Sequence, residues 1–268
     1  MPSIYAHNKY GKLVIPKLPK EIKSVIKKYP DSFRIGLQGP DFLFFYKVFF
    51  INKINQKGGE YHKKDAYVFM ENALHVIKKY GTDSPQYSYI LGVICHFSLD
   101  AACHPYVNKF MEITGCGHVE IEGDLDQLIL TSEGYIPECY PMHLLVPVSR
   151  EVADSMAPFY DDISKNTVYS CLKWMRLIKK FFVAPGFFKR SMIDFALHLT
   201  FHYKKLNGHI VMPKANKKCR QQTKFLYKTL RNVVPDAVFL INNFHSTVMG
   251  HETLSGKFHK DFNGARYE

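Results

Sequence analysis

An all-α fold is predicted by three features of this sequence. Apolar residues recur at three- and four-residue spacing over six stretches, strand-like alternation is scarce, and Gly/Pro turn signals separate the periodic stretches. The first stretch, 64–79 (KDAYVFMENALHVIKK), keeps its apolar residues on one face. Residues 88–110 do likewise, with Pro105 near the expected end, because proline cannot donate to the helix ladder. Stretches 119–130, 168–183, 192–206 and 223–233 read the same way, and a further helix is expected to begin at FLFFY after Asp41. Only IYAH (4–7) and GHIVM (208–212) alternate as strands do. Turns fall at Gly58-Gly59, 81–85, 115–117, 134–147 and Pro185-Gly186. The 134–147 stretch is the best internal joint, yet nothing in it resembles a flexible linker, so residues 1–268 are expected to form a single multi-helix domain.

Composition bounds the function. With 268 residues, 46% hydrophobic and 22% charged, the chain has enough apolar surface for a core, which excludes disorder over most of its length. The greasiest run, FLFFYKVFFIN (42–52), falls short of the ~18–20 apolar residues of a membrane span and carries Lys47 in its middle. The opening residues lack the apolar region of a secretory signal, and six widely spaced cysteines suit a reducing compartment, so a cytoplasmic location is expected. Residues 1–130 hold 16 Lys+Arg against 13 Asp+Glu, net +3, and residues 131–268 hold 20 against 11, net +9. A basic field of this kind attracts anions, phosphate head groups and nucleic acid included, without choosing among them.

The segment HFSLDAACHP carries the clearest chemistry. His96, Asp100 and His104 lie four and eight positions apart, on one face of a helix. Roughly 0.03 such triplets are expected by chance. The ~12 Å rise from first to third exceeds the reach of one ion, but a central aspartate can bridge two. His118 and Glu122 form a second i, i+4 pair after a Gly-rich turn, and a neighbouring antiparallel helix would bring them to His104 as a zinc shell of nitrogen and oxygen ligands. A rival has the same spacing: Asp194, His198 and His202 in DFALHLTFH, whose apolar neighbours instead suggest a core helix.

Taken in order, YAH (5–7), GPD (39–41), His96 with Asp100, HP (104–105) and HxxxE (118–122) resemble the zinc-dependent phospholipase C family, a mostly helical fold with a trinuclear zinc site. The resemblance covers about residues 1–130, a metal-binding part in the N-terminal half; residues 148–268 form an additional helical part. It implies two or three zinc ions. Asp41, His62, His96 and Asp100 would hold one, His104, His118 and Glu122 a second, and Asp100 would bridge to a third held by His7. Two features differ from the family pattern: Asp100 and His104 are four apart where members usually leave six, and six residues precede His7 where secreted members offer a processed amino terminus. Apart from the resemblance, Asp41 is equally suited to cap the next helix and His62 to sit in a turn. Cys103 and Cys116 lie beside the ligand candidates without a C-x-x-C spacing.

The implied function is a metal-dependent phosphodiesterase acting on a phospholipid or related phosphodiester, with Asp41 orienting or deprotonating the attacking water. Two alternatives stand beside it: a single-strand-specific nuclease, since the trinuclear zinc nucleases are similar in fold and ligands, and a zinc-stabilised binding protein without catalysis. The run KKFFVAPGFFKR (179–190) is expected to pack its phenylalanines inward between helices; exposed, it would be a peripheral membrane contact.

Overall fold

Helix α6 (Pro85–Thr114) is the axis on which the site is built. The Ser84 hydroxyl accepts from the Tyr87 amide, Pro85 takes the first helical position, and Gly115 ends the helix in the left-handed region (φ 68°) with its N–H on the Met111 carbonyl. Residues 86–100 are buried without interruption. By length and composition α6 would cross a membrane, but it is instead wrapped by other helices, as a core helix is. Around it lie α1 (Ile4–Val14), α2 (Lys20–Lys28), α3 (Pro30–Gly36), α4 (Lys53–Lys63), α5 (Ala66–Tyr80), α7 (His118–Ser132), α8 (Arg150–Met156), α9 (Lys165–Phe181), α10 (Phe187–Leu199), α11 (Arg220–Asn232) and α12 (Val234–Val248). The computed structural model describes residues 3–50, 52–199 and 207–267, and no strand occurs among them beyond an isolated bridge between Lys260 and Arg266.

Two glycines bring α3 onto α6. A Cβ on Gly36 would lie 2.2 Å from the Tyr89 carbonyl, and one on Gly92 would lie 2.3 Å from the Phe33 carbonyl, so the helices cross backbone to backbone. This crossing delivers residues 37–41 directly over His96.

Most predicted helices form, with ends shifted by a few residues: 64–79 becomes Ala66–Tyr80, 119–130 becomes His118–Ser132, 168–183 becomes Lys165–Phe181 and 223–233 becomes Arg220–Asn232. Stretch 192–206 begins earlier, at Phe187, and its residues 200–206 lie outside the described residues. Four expectations are corrected. IYAH opens α1, because the Asp126 carboxylate of α7 accepts from the Ser3 hydroxyl (2.7 Å) and the amides of Ala6 (2.8 Å) and Tyr5 (3.3 Å), satisfying helix-start donors from another helix. GHIVM begins in a 3-10 turn (Asn207–His209) and continues without strand pairing. Pro105 lies inside α6, not at its end; Gly264, at φ 84°, sits so close to Pro105 and the Ala101 carbonyl that a Cβ there would be 2.5 Å from that oxygen, packing the C-terminal tail where the proline interrupts the ladder. FLFFY belongs to a 3-10 segment (Gly39–Phe45), not to an α-helix.

Candidate metal centre

Five elements, α6 among them, supply the residues that converge. His7 comes from α1, Asp41 from the 39–45 turn, His62 from α4, His96, Asp100 and His104 from α6, and His118 and Glu122 from α7. Three groups offer ligand atoms within 4.8 Å of one another: His7, His96 and Asp100; Asp41, His62 and His96; His104, His118 and Glu122. All are buried except His118, whose side chain is 31% exposed. Every residue expected in the cluster is therefore present in it.

Local interactions fix each side chain. Asn52 caps α4 by accepting from the amides of Ile54 and Asn55, while the Asn55 side chain donates to the carbonyls of Leu43, Phe44 and Tyr46, stapling the 39–45 turn to the helix that carries His62. Gly39 adopts φ 48°, and a Cβ there would lie 2.2 Å from the His96 ring, so only glycine lets this turn close over the imidazole. Three histidines donate from Nδ1 to backbone carbonyls: His62 to Gly58 (2.7 Å), His96 to Leu37 (3.2 Å) and His104 to Phe262 (2.8 Å). This fixes the tautomer and aims the Nε2 lone pair of each into the cluster.

The opposing atoms are carboxylate oxygens. His7 Nε2 lies 3.1 Å from Asp100 Oδ1, and His96 Nε2 and His104 Nε2 lie 3.2 and 3.8 Å from Asp100 Oδ2. His62 Nε2 lies 2.8 Å from Asp41 Oδ1, and Glu122 Oε1 lies 3.0 Å from His118 Nε2 and 3.7 Å from His104 Nε2. A lone pair aimed at a carboxylate repels it unless a cation or proton lies between. Two ligands on one tetrahedral zinc at ~2.05 Å sit about 3.3 Å apart, so these separations suit shared ions. The Nε2 atoms of His7, His96 and His104 and both oxygens of Asp100 also make no well-directed hydrogen bond, although they are fully buried. The residues fit zinc.

Electrostatics agree. Burial holds the His96 imidazole down at about 3 against the pull of Asp100, leaving it neutral and ligand-competent. Burial would raise the carboxyls of Asp41, Asp100 and Glu122, but the neighbouring imidazoles outweigh it: Glu122 is held at about 2, chiefly by His118 and His104, and Asp100 falls well below the ordinary range through His96, His104 and His7. Asp41 also falls far below, His62 and His96 contributing. For His104, burial disfavours the charged ring, but Asp100 and Glu122 overcome it and raise its pKa; the carboxylates ask for positive charge at this point.

The family model described as zinc dependent phospholipase C matches residues 6–183, about two-thirds of the chain and every residue of the cluster. The chain belongs to the zinc-dependent phospholipase C family. No curated protein and no solved structure matches it. As a member it is a phospholipase C-like zinc hydrolase, and the match extends beyond residue 130, where the sequence motifs stop.

The rival segment gathers nothing comparable. Asp194 and His198 are about half exposed and 3.9 Å apart, and His202 lies outside the described residues. Asp41 does not cap an α-helix, and His62 ends α4 rather than sitting in an open turn. Cys103 and Cys116 belong to none of the clusters among the described residues. Three contributors escaped the sequence reading. The tail supplies the Phe262 carbonyl for His104, while the Phe262 amide and the Asn263 side chain donate to the His62 carbonyl. Asp126 fixes the start of α1 and hence His7. Lys179 is buried, 3.3 Å from His209 Nδ1 and over the Phe45 ring; burial lowers its pKa to about 8, with Asp126, Asp41 and Glu122 opposing. Backbone carbonyls carry no residue-type signal, and Lys179 sat unremarked in a basic run.

Proposed function

We propose that this chain hydrolyses phosphodiesters at a cluster of two or three zinc ions, with phospholipids as the favoured substrate class. The observation that carries the reading is the convergence, on α6, of three imidazole Nε2 atoms, those of His7, His96 and His104, upon the two oxygens of Asp100. His62, His96 and Asp41 would hold one ion, His104, His118 and Glu122 a second, and His7 with Asp100 a third. Zinc bound there supplies Lewis acidity toward phosphoryl oxygens and a nucleophilic water at neutral pH.

The chain's own residues do the rest. Asp100 presents one oxygen to His7 and the other to His96 and His104, so its charge is shared across the cluster. Asp41 stays ionised at neutral pH and is steered by His62; it is the group to orient and deprotonate the attacking water. In a phospholipid, attack at phosphorus would break the bond to the glycerol oxygen, which leaves as diacylglycerol after taking a proton. The partial exposure of His118 supports an open catalytic centre over a sealed structural one.

The test is a side-by-side rate assay of the zinc-loaded chain on a chromogenic phosphodiester, phospholipid vesicles and single-stranded DNA. Turnover of the diester and vesicles with release of diacylglycerol is expected. Faster cleavage of DNA would replace the reading with the nuclease, and no turnover on any substrate would leave a zinc-stabilised binding protein.

A further inference from the structure

Helix α10 is apolar on the side that faces away from the protein. Ile193 and Leu197 pack inward, whereas Phe188, Met192, Phe195 and Leu199, spaced four, three and four apart, form one outer stripe, with Phe187 beside it. Phe187, at 82%, and Phe188, at 78%, are the most exposed large apolar side chains among the described residues. The expectation that the phenylalanines of 179–190 pack inward holds only for Phe182, which is buried; Phe181 is half-exposed. At the end of α9, Leu177 and Phe181 are exposed as well.

Charge distinguishes the occupant. From Lys165 to Ile193 every charged residue is basic, and Lys173, Lys180 and Lys189 are exposed. A two-fold contact through the stripe would set these cations against their own copies in a chain of net charge +12, whereas an anionic bilayer complements them. Large aromatics flanked by lysine and arginine match the interfacial zone of a bilayer, where rings enter the acyl boundary and cations meet phosphate. Placement agrees as well. A cleft of about 490 Å³ has Phe187, Arg190 and Asp194 of α10 on one wall and Glu120 and Gly123 of α7 on the other. Glu122 and His118 of the metal cluster lie on that same α7. The stripe begins beyond residue 183, outside the part of the chain that matches the family.

We infer that α10, with the aromatic pair at its start and the flanking lysines, is a docking face for anionic lipid bilayers that sets the α7 cleft against the membrane. Its consequence for catalysis, faster turnover of vesicle lipid, rests on the phosphodiesterase reading; the binding itself does not.

The experiment is co-sedimentation of the full chain with phosphatidylcholine vesicles, with and without phosphatidylglycerol, at low and high salt. Two variants accompany it: Phe188→Ser/Phe195→Ser and Lys180→Glu/Lys189→Glu. The wild type should bind the anionic vesicles and lose much of that binding in high salt. Each variant should bind about tenfold or more weakly, keep its zinc content and melting temperature, and hydrolyse the soluble diester at the wild-type rate. Absence of wild-type binding, or wild-type affinity in both variants, overturns the inference. So does a solution dimer that the phenylalanine variant dissociates. Failure of the phosphodiesterase reading shows separately, as no diester turnover with vesicle binding intact.

Discussion

Helices α6 and α10 both carry aspartate and histidine at four-residue spacing, His96–Asp100–His104 on one and Asp194–His198 on the other. On α6 the triplet is buried, and α1, α4, α7 and the 39–45 turn bring further histidines and carboxylates to it. On α10 the pair is half exposed and its carboxylate and imidazole stand 3.9 Å apart. Spacing puts side chains on one face; burial and convergence decide whether that face becomes a site. A buried carboxylate facing neutral imidazoles needs a cation, whereas water satisfies the same groups at a surface.

The largest effect expected from breaking this contrast is at Asp100. Asp100→Asn should lower zinc per chain, lower the melting temperature and reduce diester hydrolysis by about 10⁴-fold or more, since the carboxylate neutralises more than one cation. Asp194→Asn and His198→Ala on α10 should leave all three unchanged. Next is Asp41→Asn, which keeps size and one oxygen but removes the base: turnover should fall by about 10² to 10⁴ with zinc content largely kept. Near wild-type rates in this variant would mean that Asp41 takes no part in proton transfer.

A third test sets two carboxylates of α7 against each other. Burial pushes Asp126 up to about 6 despite the bonds from Ser3, Ala6 and Tyr5. A raised carboxyl contributes stability that is complete below its unfolded value of 3.8 and is lost as pH rises through about 6. Glu122 runs the other way: held at about 2, it contributes above its unfolded value of 4.5, and that contribution is lost as pH falls toward 2. Urea unfolding of the metal-free chain should thus show a loss of about 3 kcal/mol from Asp126 between pH 4 and 7 that Asp126→Asn lacks. A smaller effect is expected at Gly39→Ala, where a Cβ strains a positive φ and displaces the His96 ring: zinc affinity should drop about 10- to 100-fold in competition titrations, with the helix content unchanged.

The residues of the cluster were legible because their order along the chain resembles that of the zinc-dependent phospholipase C family, and the helices because their apolar faces repeat every three to four residues. What was not legible depends on distant partners. IYAH alternates as a strand does, yet Asp126, more than a hundred residues on, starts a helix there. Pro105 reads as a terminus until Gly264 is seen packed against the ring and the Ala101 carbonyl. The carbonyls of Leu37, Gly58 and Phe262 that aim three imidazoles leave no trace in residue identity. The outer face of α10 was misjudged for a related reason: periodicity shows that both sides of the helix are apolar, not which of them the core covers.

Whether convergence on α6, rather than spacing alone, makes the metal site is read out by elemental analysis of zinc per chain after loading in metal-buffered solution, for the wild type, Asp100→Asn and Asp194→Asn. Two or three zinc ions are expected in the wild type and in Asp194→Asn, and fewer in Asp100→Asn; full zinc in Asp100→Asn, or zinc lost from Asp194→Asn alone, would mean that convergence does not make the site.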